Sequence, residues 1–396
     1  MIEKGKIMKQ KMTVPSYIKA FKCIAGECEE TCCAGWYIAI DEKTYKKYKK
    51  VKHPEMKKRL EKELVVKKGS APECAAKIKL KNNRCAFLAK DNLCDIYKNL
   101  GEQYLSETCT MYPRNTNDLG EKVELSLALS CPEAARKILL SEEKIQFIEE
   151  EKIELPVVGA RLNLKTSKPK HFEDYILHMR QLLIAIWQEN SYNIQDKWQA
   201  FEYVMMKLHE CKMHQDVKRL AAFLNEMQNQ GFVKQDIKNK QKKVLLEQYT
   251  TAEATKKLLD TLIAMRSQKK WPSMRYEACY ESMLEGLGEN FDKAQYQKGE
   301  ALYEAILYQT YPYILENYFV NYIYERLVPI NQKTPLESLE QMCLYFALLR
   351  VHLIGKLVNE PELRAEEIVT VIQSFTRVFD HNELYMQQIK KQLTSK

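Results

Sequence analysis

The sequence predicts a mainly α fold, in which a cysteine-rich, metal-binding N-terminal region with a short β-hairpin precedes a helical body. The cysteines support the first half of this prediction, because nine of the twelve lie before residue 132 and only Cys211, Cys279 and Cys343 follow. The apolar pattern supports the second half. Between residues 121 and 230 the only glycine is Gly159, and apolar residues recur at helical spacings of three and four.

The chain divides into a cysteine-rich region at 1–140, a connector at 141–170 and a helical domain at 171–396. The connector is charged, lacks helical spacing and contains both proline and glycine. From about residue 171 the apolar periodicity continues to the C-terminus, and the three late cysteines lie within its apolar stripes. We therefore expect these three thiols to be ordinary core residues. Typical segments are "YILHMRQLLIAIWQEN", "DKWQAFEYVMMKLHEC" and "LESLEQMCLYFALLRVHLIGKL".

Two local patterns predict structure inside the cysteine-rich region. "RCAFLAKDNLCDIY" (84–97) predicts the hairpin, since two apolar runs flank a turn centred on Asp91. "SCPEAARKILL" (130–140) predicts the start of a helix, with proline near the first turn. This places Cys131 at a helix N-terminus, where the helix dipole favours a thiolate.

Composition indicates a globular protein, with 45% hydrophobic and 29% charged residues among 396. The net charge of +9 lies at the front, because residues 1–70 contain 18 Lys and Arg against 9 Asp and Glu. A basic region of this kind is typical of a solvated helix face, and it also fits an acidic protein, an acidic membrane surface or nucleic acid. No aromatic RNA-binding signature or helix-turn-helix pattern accompanies it, which argues against nucleic acid as a partner.

The sequence also predicts a location in the cell. The first residues contain lysines without a following apolar run, which excludes a secretory signal. Apolar stretches are short, "QLLIAIW" at 181–187 being among the longest, so we expect no membrane segment. The protein is therefore expected in the cytoplasm, where thiols stay reduced and clustered cysteines favour a metal over disulfides.

The cysteine spacing favours a metal centre but not radical chemistry. Radical enzymes that cleave S-adenosylmethionine use C-x3-C-x2-C, and here Gly35 stands where the third cysteine would be. The spacing that is present suits an iron–sulfur cluster or structural zinc, each of which takes about four thiolates from local motifs and distant returns. We predict that at least four of eight cysteines bind one centre, with a four-iron cluster favoured over zinc. The eight are Cys23, Cys28, Cys32, Cys33, Cys85, Cys94, Cys109 and Cys131.

A family resemblance follows from these motifs. "CIAGECEETCCAGW", "CAFLAKDNLCDIY", "TCTMYPR" and "SCPEAA" resemble the YkgJ-type cysteine family, a zinc- or iron-chelating module. With "VPSYIKAFKC", "LSCPEAAR" and "LENYFVNYIYERL" (315–327), nearly the whole chain resembles the FliB family of flagellin lysine N-methylases. The resemblance implies methyl transfer from S-adenosylmethionine to lysine side chains of flagellin by an enzyme that holds an iron–sulfur cluster.

Methyl transfer to lysine suggests which residues act. The amine must lose a proton, since the ordinary lysine pKa is about 10.4, and aromatic faces can hold a sulfonium cation. On the 315–327 helix, Tyr318 and Tyr322 share one face and are the candidate catalytic residues. Asn317, Asn321 and Glu325 share another face, and the two asparagines are the candidates for binding the cofactor. The same pattern also fits a helix that simply packs with satisfied amides. Arg114, after Cys109 in "TMYPR", is the candidate for binding the cofactor carboxylate.

Two other function classes stay open at this level. One is a non-catalytic, metal-stabilised module that binds flagellin or another protein, and the other is a zinc-stabilised nucleic-acid binder. The failed radical spacing predicts that any cluster has a structural or positioning role and that the methyl group moves by direct displacement.

Overall fold

The computed structural model describes residues 11–66, 71–151, 159–230, 245–380 and 382–394. It is mainly α, as predicted, and its described strands all lie before residue 152. The strands are β1 (Lys11–Pro15), β2 (Ala39–Ile40), β3 (Leu64–Val66), β4 (Ala76–Ile78), β5 (Leu80–Lys81), β6 (Arg84–Cys85), β7 (Arg114–Asp118), β8 (Lys122–Leu127) and β9 (Phe147–Glu151).

The helices become longer along the chain. Those of the first 140 residues are α1 (Tyr17–Ala20), α2 (Glu42–Tyr48), α3 (Pro54–Glu63), α4 (Asp95–Leu100), α5 (Glu107–Met111) and α6 (Pro132–Leu139). Those that follow are α7 (Ile176–Trp187), α8 (Ile194–Met213), α9 (Val217–Gln230), α10 (Glu247–Thr250), α11 (Ala252–Gln268), α12 (Met274–Leu287), α13 (Lys293–Tyr303), α14 (Pro312–Glu325), α15 (Pro335–Asn359), α16 (Ala365–Phe379) and α17 (Glu383–Thr394). A π-helix, Glu304–Thr310, joins α13 to α14.

A four-stranded sheet with the order β7–β8–β1–β9 connects the two ends of the cysteine-rich region. β1 pairs in parallel with β8 and antiparallel with β9, so Met12 lies opposite both Val123 and Glu150. β7 pairs antiparallel with β8, with Arg114 opposite Leu127. Arg114 therefore lies at the first position of an edge strand, where its side chain is only half-buried.

Residues 22–111 form a small unit that we call the head. Its core is separate from that of the rest of the chain and extends from Ile38 to Ile96, with Phe87 fully buried. An arginine links two helices of the head. The Arg59 guanidinium of α3 donates to a carboxylate oxygen of Asp95 in α4 and to the carbonyl of Ala86, each at 2.7 Å. The thiol of Cys85 is part of this core, so the head folds around some of its own cysteines.

The remaining described residues, 11–21 and those from 112 onward, form the body. It has one large apolar core and a small separate cluster in the sheet, made of Met12, Val14, Val123 and Leu125. α15 lies at its centre and crosses α12 so closely that a Cβ added to Gly286 would lie 1.9 Å from the carbonyl oxygen of Gly355. Cys211, Cys279 and Cys343 are buried in this core, as predicted.

One described helix bears on the expectation that the chain has no membrane segment. α15 is long and apolar enough to cross a bilayer, yet 83% of its most apolar stretch is buried inside the protein. A core helix of a globular protein has the same length and composition, so α15 does not contradict that expectation. In this fold α15 is the central helix of the body.

The predicted hairpin at 84–97 is only partly present. The turn forms, with the Ala89 amide donating to the Leu93 carbonyl at 2.9 Å and Asn92 at a positive φ of 60°. Its arms reduce to one isolated bridge between Leu88 and Cys94, because α4 begins at Asp95. The regular two-stranded pairing is that of β5 with β6, at the N-terminal end of the predicted segment. The helix predicted at 130–140 is α6, and Cys131 is its N-cap as expected.

The predicted boundaries at 140 and 170 stay predictions, but the cores divide elsewhere. α6 and Leu119, Leu127 and Leu129 belong to the body core. Part of the connector is regular, since β9 joins the sheet, while residues 152–158 of it lie outside the described residues. The cysteine-rich region therefore divides into the head, which has its own core, and a sheet that packs with the helices of the body.

Candidate functional site

The eight candidate cysteines lie around the junction of head and body, without disulfides. All twelve thiols of the chain are free. The amide of Cys85 donates to the carbonyl of Cys33 at 2.7 Å, and the thiols of Cys85, Cys94 and Cys109 are close enough to raise the pKa of one another. Cys32 is electrostatically coupled to this group and also to Cys131. Seven of the eight predicted ligands thus occupy neighbouring positions in the fold. They are Cys28, Cys32, Cys33, Cys85, Cys94, Cys109 and Cys131.

Burial and nearby thiols raise the pKa of several of these cysteines, which favours the neutral thiol in the absence of a bound cation. Burial is the main cause that raises the pKa of Cys85 to about 12 and those of Cys109 and Cys131 to about 11. For Cys32 the largest cause of a raised pKa is its hydrogen bond with Cys33, followed by burial. A metal ion would reverse this, because thiolate ligands form only where a cation compensates their charge.

The donor chemistry fits iron or zinc, but the thiols are not arranged as a finished cage. Among the described residues, no group of three or more His, Cys, Asp or Glu side chains has a metal-holding arrangement. Cys23 is exposed, and its sulfur accepts a hydrogen bond from the Ala25 amide at 3.4 Å. The metal-ligand assignment of the eight cysteines stays a prediction.

Two side chains of α16 hold the segment 28–34, which we call the cysteine loop. Arg377 donates to the carbonyls of Thr31 (2.8 Å) and Ala34 (2.6 Å) and pairs with Glu30 at 3.2 Å. Gln373 donates to Glu30 and to the Ser130 carbonyl, both at 2.9 Å. Because Ser130 precedes Cys131, one helix of the body fixes both stretches of cysteine-bearing backbone.

A cavity of about 560 Å³ opens beside this loop, between head and body. One wall is the segment that follows Cys109 and continues into β7, and the opposite wall is the end of α14 with the loop after it. The lining side chains are Trp36, Thr108, Met111, Tyr112, Pro113, Arg114, Asn115, Asn117, Ala128, Gly159, Ala160, Glu325, Arg326, Asn331, Gln332, Gln341 and Asp380.

Glu325 is the most strongly perturbed acid in this cavity. Burial raises its pKa to about 8, against a smaller opposing effect of the neighbouring Arg326 guanidinium, while Asp380 raises it further. Arg326 itself is paired with Asp380 at 2.6 Å, so its charge is largely compensated there. The Asn321 amide lies 3.4 Å from a Glu325 oxygen. Glu325 is thus a carboxyl group that changes charge near neutral pH inside a cavity, as catalytic acids and bases do.

Arg114 and an aromatic pair form the other wall. The Arg114 guanidinium lies 5.3 Å from the Phe21 ring and has no ion-pair partner among the described residues. Trp36 and Tyr112 stand with ring centroids 5.5 Å apart. The Trp36 indole N–H donates to the Cys32 carbonyl at 2.7 Å. An unpaired cation and two aromatic faces therefore share one cavity, and one of those faces is tied to the cysteine loop.

The four residues predicted on the 315–327 helix lie in α14 but not on the cavity wall. Asn317 donates to the Ser141 carbonyl at 2.7 Å, and Asn321 donates to the Leu127 carbonyl at 3.3 Å and accepts from the Tyr17 hydroxyl at 2.6 Å. Tyr318 and Tyr322 are buried at 2% and 4% exposure. All four are core positions, and the two asparagines bond to protein groups. Their roles in catalysis and cofactor binding stay predictions that no contact with the cavity supports.

The helix nevertheless reaches the cavity through its last residues. Asn317, Asn321 and Glu325 share one face, as the sequence predicted, and Glu325 is the member that lines the cavity. The Tyr322 ring lies 4.7 Å from the Arg326 guanidinium, so it supports a cavity residue from behind. Sequence reasoning placed Glu325 on this face without assigning it a role, although helical spacing already pointed to it. Trp36 and Tyr112, inside the quoted motifs, were also missed because nothing local shows that they meet.

Comparison with known proteins decides the family. The family model described as the FliB lysine N-methylase C-terminal domain matches residues 180–396. The chain belongs to the FliB family. In this FliB-family chain the matched part contributes Glu325, Arg326 and Asp380 to the cavity, together with the α16 side chains that hold the cysteine loop.

Relatives among characterised proteins agree with this. Lysine-N-methylase of Salmonella typhimurium is 33% identical over 129 residues, which cover 32% of this chain and 32% of that protein. Lysine-N-methylase of Salmonella choleraesuis matches to the same extent. Flagellar biosynthetic protein FliU of Salmonella muenchen is 33% identical over 129 residues, 32% of this chain and 76% of FliU. The match thus spans about a third of the two lysine N-methylases. No solved structure matches the chain, and the YkgJ-type resemblance stays a prediction.

Proposed function

We propose that this protein methylates lysine side chains of flagellin, using S-adenosylmethionine, in the cavity between head and body. The observation that supports this most is Glu325, a half-buried carboxyl group with a pKa raised to about 8 at the wall of a cavity of about 560 Å³, in a chain of the FliB family. A lysine amine can accept a methyl group only after it loses its proton. A carboxylate that titrates near neutral pH is suited to take that proton.

The proton transfer follows from the setting of Glu325. A substrate ammonium that enters the cavity meets a partly desolvated carboxylate, and desolvation of both groups favours the neutral pair over the charged pair. The proton therefore moves from the lysine Nζ to a Glu325 oxygen, which leaves the amine lone pair free. Arg326, compensated by Asp380, stays in place and limits how far the pKa of Glu325 rises.

The opposite wall has the groups that suit the cofactor. When bound, S-adenosylmethionine supplies a methyl group activated by a sulfonium cation. Arg114 is suited to bind its carboxylate, because the guanidinium is unpaired among the described residues and can donate two parallel hydrogen bonds. The Trp36 and Tyr112 faces are suited to stabilise a cation. These residues fit the cofactor by chemistry, and they replace the helix tyrosines as our candidates for the cation contact.

The metal centre is a second part of the proposal. We infer that the clustered thiols of the head, together with that of Cys131 in the body, bind an iron–sulfur cluster that has a structural or positioning role. The support is the gathering of seven soft donors and the hydrogen bond from the Trp36 indole to the Cys32 carbonyl, which links that loop to the cavity wall. We further propose that the enzyme acts in the cytoplasm, on flagellin before export.

Mass spectrometry of flagellin tests the proposal directly. The protein is prepared without oxygen, incubated with flagellin and S-adenosylmethionine, and the digest is searched for methyl-lysine. We expect methyl-lysine with the native protein, release of S-adenosylhomocysteine and no 5′-deoxyadenosine. Glu325→Gln should lower kcat by about 10²- to 10⁴-fold, the usual contribution of a general base. Glu304→Gln, which changes an exposed acid of the π-helix, is the matched control and should retain the native rate.

Two results would contradict the proposal in different ways. Methylation at the native rate by Glu325→Gln would remove Glu325 as the base while leaving the activity. Absence of methyl-lysine with metal-loaded native protein would favour the non-catalytic binding module, which flagellin binding without turnover would then identify.

A further inference from the structure

A second cavity of about 350 Å³ lies next to the first, between α15 and α17. Gln332 and Gln341 line both cavities, so the two spaces meet at these side chains. The second cavity has an aromatic and aliphatic floor that includes Tyr345 and Leu344, and its rim includes Glu337 and Glu340. A groove of this kind continues from the proposed methyl-transfer site along the surface of α15.

The junction of the two cavities is lined by amides. Gln332 donates to the side-chain oxygen of Gln341 at 2.9 Å, and Asn331 donates to the same oxygen at 3.4 Å. The Asn331 side-chain oxygen is fully buried and accepts no hydrogen bond from the described residues. That oxygen faces the protein rather than the cavity, so it offers no contact to a ligand. The accessible amides at the junction are those of Gln332 and Gln341, and amide groups of this kind are suited to bind an extended backbone.

Four side chains of the second cavity lie along one face of α15. Glu337, Gln341, Leu344 and Tyr345 are spaced by four, seven and eight residues, so they lie on one face of α15. This face is roughly 12 Å long, which matches about three to four residues of an extended peptide. Glu340 is partly compensated by Lys390 at 3.4 Å, whereas Glu337 has no ion-pair partner among the described residues. The groove therefore has an excess of negative charge within reach of the target lysine.

We propose that the substrate binds as an extended segment that runs from the first cavity into the second, and that Glu337 and Glu340 bind a cationic side chain a few residues from the target lysine. The inference rests on the proposed function, since it assigns the specificity of that same site. It commits to a polypeptide occupant because an extended backbone fits the amides at the junction and a flanking lysine or arginine fits the rim.

Peptide binding and peptide methylation test this together. A set of synthetic peptides with one target lysine carries Arg, Gln or Glu at positions two to four residues to either side. Fluorescence anisotropy with wild-type protein, in the absence of cofactor, gives the affinity, and methylation gives kcat and KM. We expect Arg at one of these positions to lower Kd and KM by about three- to tenfold relative to Gln, with kcat unchanged. Glu at that position should raise both.

The double variant Glu337→Gln, Glu340→Gln should abolish this preference. The Thr334 N-cap accepts a hydrogen bond from the backbone N–H of residue 337, which a glutamine there retains. We therefore expect α15 to fold normally, and circular dichroism checks this. Glu362→Gln, an exposed acid after α15, is the control and should retain the preference. A preference that persists in the double variant, or equal affinity for Arg and Glu peptides, would overturn the inference.

The assay also separates this inference from the proposed function. If no peptide is methylated but the charge preference in anisotropy is present and is lost in the double variant, the groove stands and the methyl transfer fails. If peptides are methylated without any dependence on the flanking charge, the methyl transfer stands and the groove fails.

Discussion

The head and the body reach a folded state by different means. The body buries long helices around one apolar core, and three of its cysteines are simply part of that core. The head has short strands and helices of at most ten residues, with a small core that includes the Cys85 thiol. Small units with little apolar area to bury gain much of their stability from metals or cross-links. The cysteines of the head are free, and we propose that a metal bound by them stabilises this unit.

This difference indicates that function and stability are coupled where the head meets the body. The cavity lies between the two units, with Glu325 from the body and Arg114 at the opposite wall. Arg377 of α16 holds the cysteine loop by three interactions, so a disordered head would also lose the aromatic wall of the cavity. Changes in the body should therefore act locally, whereas changes in the head should act on the metal, the fold and the cavity together.

The largest expected effect comes from removing two head thiols. The double variant Cys85→Ser, Cys109→Ser should lose most of its bound metal, since metal binding and folding of small sites are coupled and the binding free energy is about 10 kcal/mol or more. Limited proteolysis should then cut within the head and spare the body. Metal analysis and mapping of the cleavage sites measure both.

The body provides the matched control for this comparison. Cys279→Ser changes a buried thiol that accepts a hydrogen bond from Ser374 at 3.3 Å. It should keep the full metal content and lower the free energy of unfolding by about 1–2 kcal/mol. Equal metal loss in the two variants would mean that the head thiols are not the ligands.

A smaller effect is expected at Arg114. Arg114→Gln should raise KM for S-adenosylmethionine by about 10- to 100-fold, because a hydrogen bond to a charged group contributes about 1.5–3 kcal/mol. The value of kcat and the metal content should stay close to those of the native protein. Arg364→Gln, at an exposed arginine before α16, should leave KM unchanged. An unchanged KM in Arg114→Gln would place the cofactor carboxylate elsewhere.

The pH dependence of stability should isolate Glu325. Its pKa in the folded state, about 8, lies above its ordinary value of 4.5, so the folded protein holds one more proton between these values. The stabilising contribution is complete below about pH 4.5 and is lost as pH rises through about 8. Between pH 6 and pH 7 the unfolding free energy of the native protein should fall by about 1.4 kcal/mol relative to that of Glu325→Gln. Urea unfolding at each pH gives these free energies. If they changed with pH in the same way for both proteins, Glu325 would have an ordinary pKa. Its charged neighbours Arg326 and Asp380 are the same in both proteins and do not affect the comparison.

Much of this architecture was predictable from the sequence, and the reasons differ by region. The body helices and the buried Cys211, Cys279 and Cys343 follow from local periodicity, which each segment contains by itself. The hairpin at 84–97 was only partly right, because a capping position at Cys94 starts a helix where alternation suggested a strand. The cavity was not predictable, since Trp36, Arg114 and Glu325 meet only after the sheet and helices pack. Long-range contacts of this kind leave no trace in local spacing.

The smallest expected effect concerns the helix on which the sequence placed catalysis. The Tyr322 hydroxyl is buried and has no hydrogen-bond partner among the described residues, while its ring lies 4.7 Å from the Arg326 guanidinium. Tyr322→Phe removes the unpaired hydroxyl and keeps the ring, so stability should change by less than about 1 kcal/mol and kcat by less than about twofold. Tyr322→Ala, which also removes the ring beneath Arg326, should lower both. A folded, metal-loaded Tyr322→Phe variant with strongly reduced kcat would instead show that the hydroxyl takes part in the reaction. The base would then have to be sought at Tyr322 rather than at Glu325.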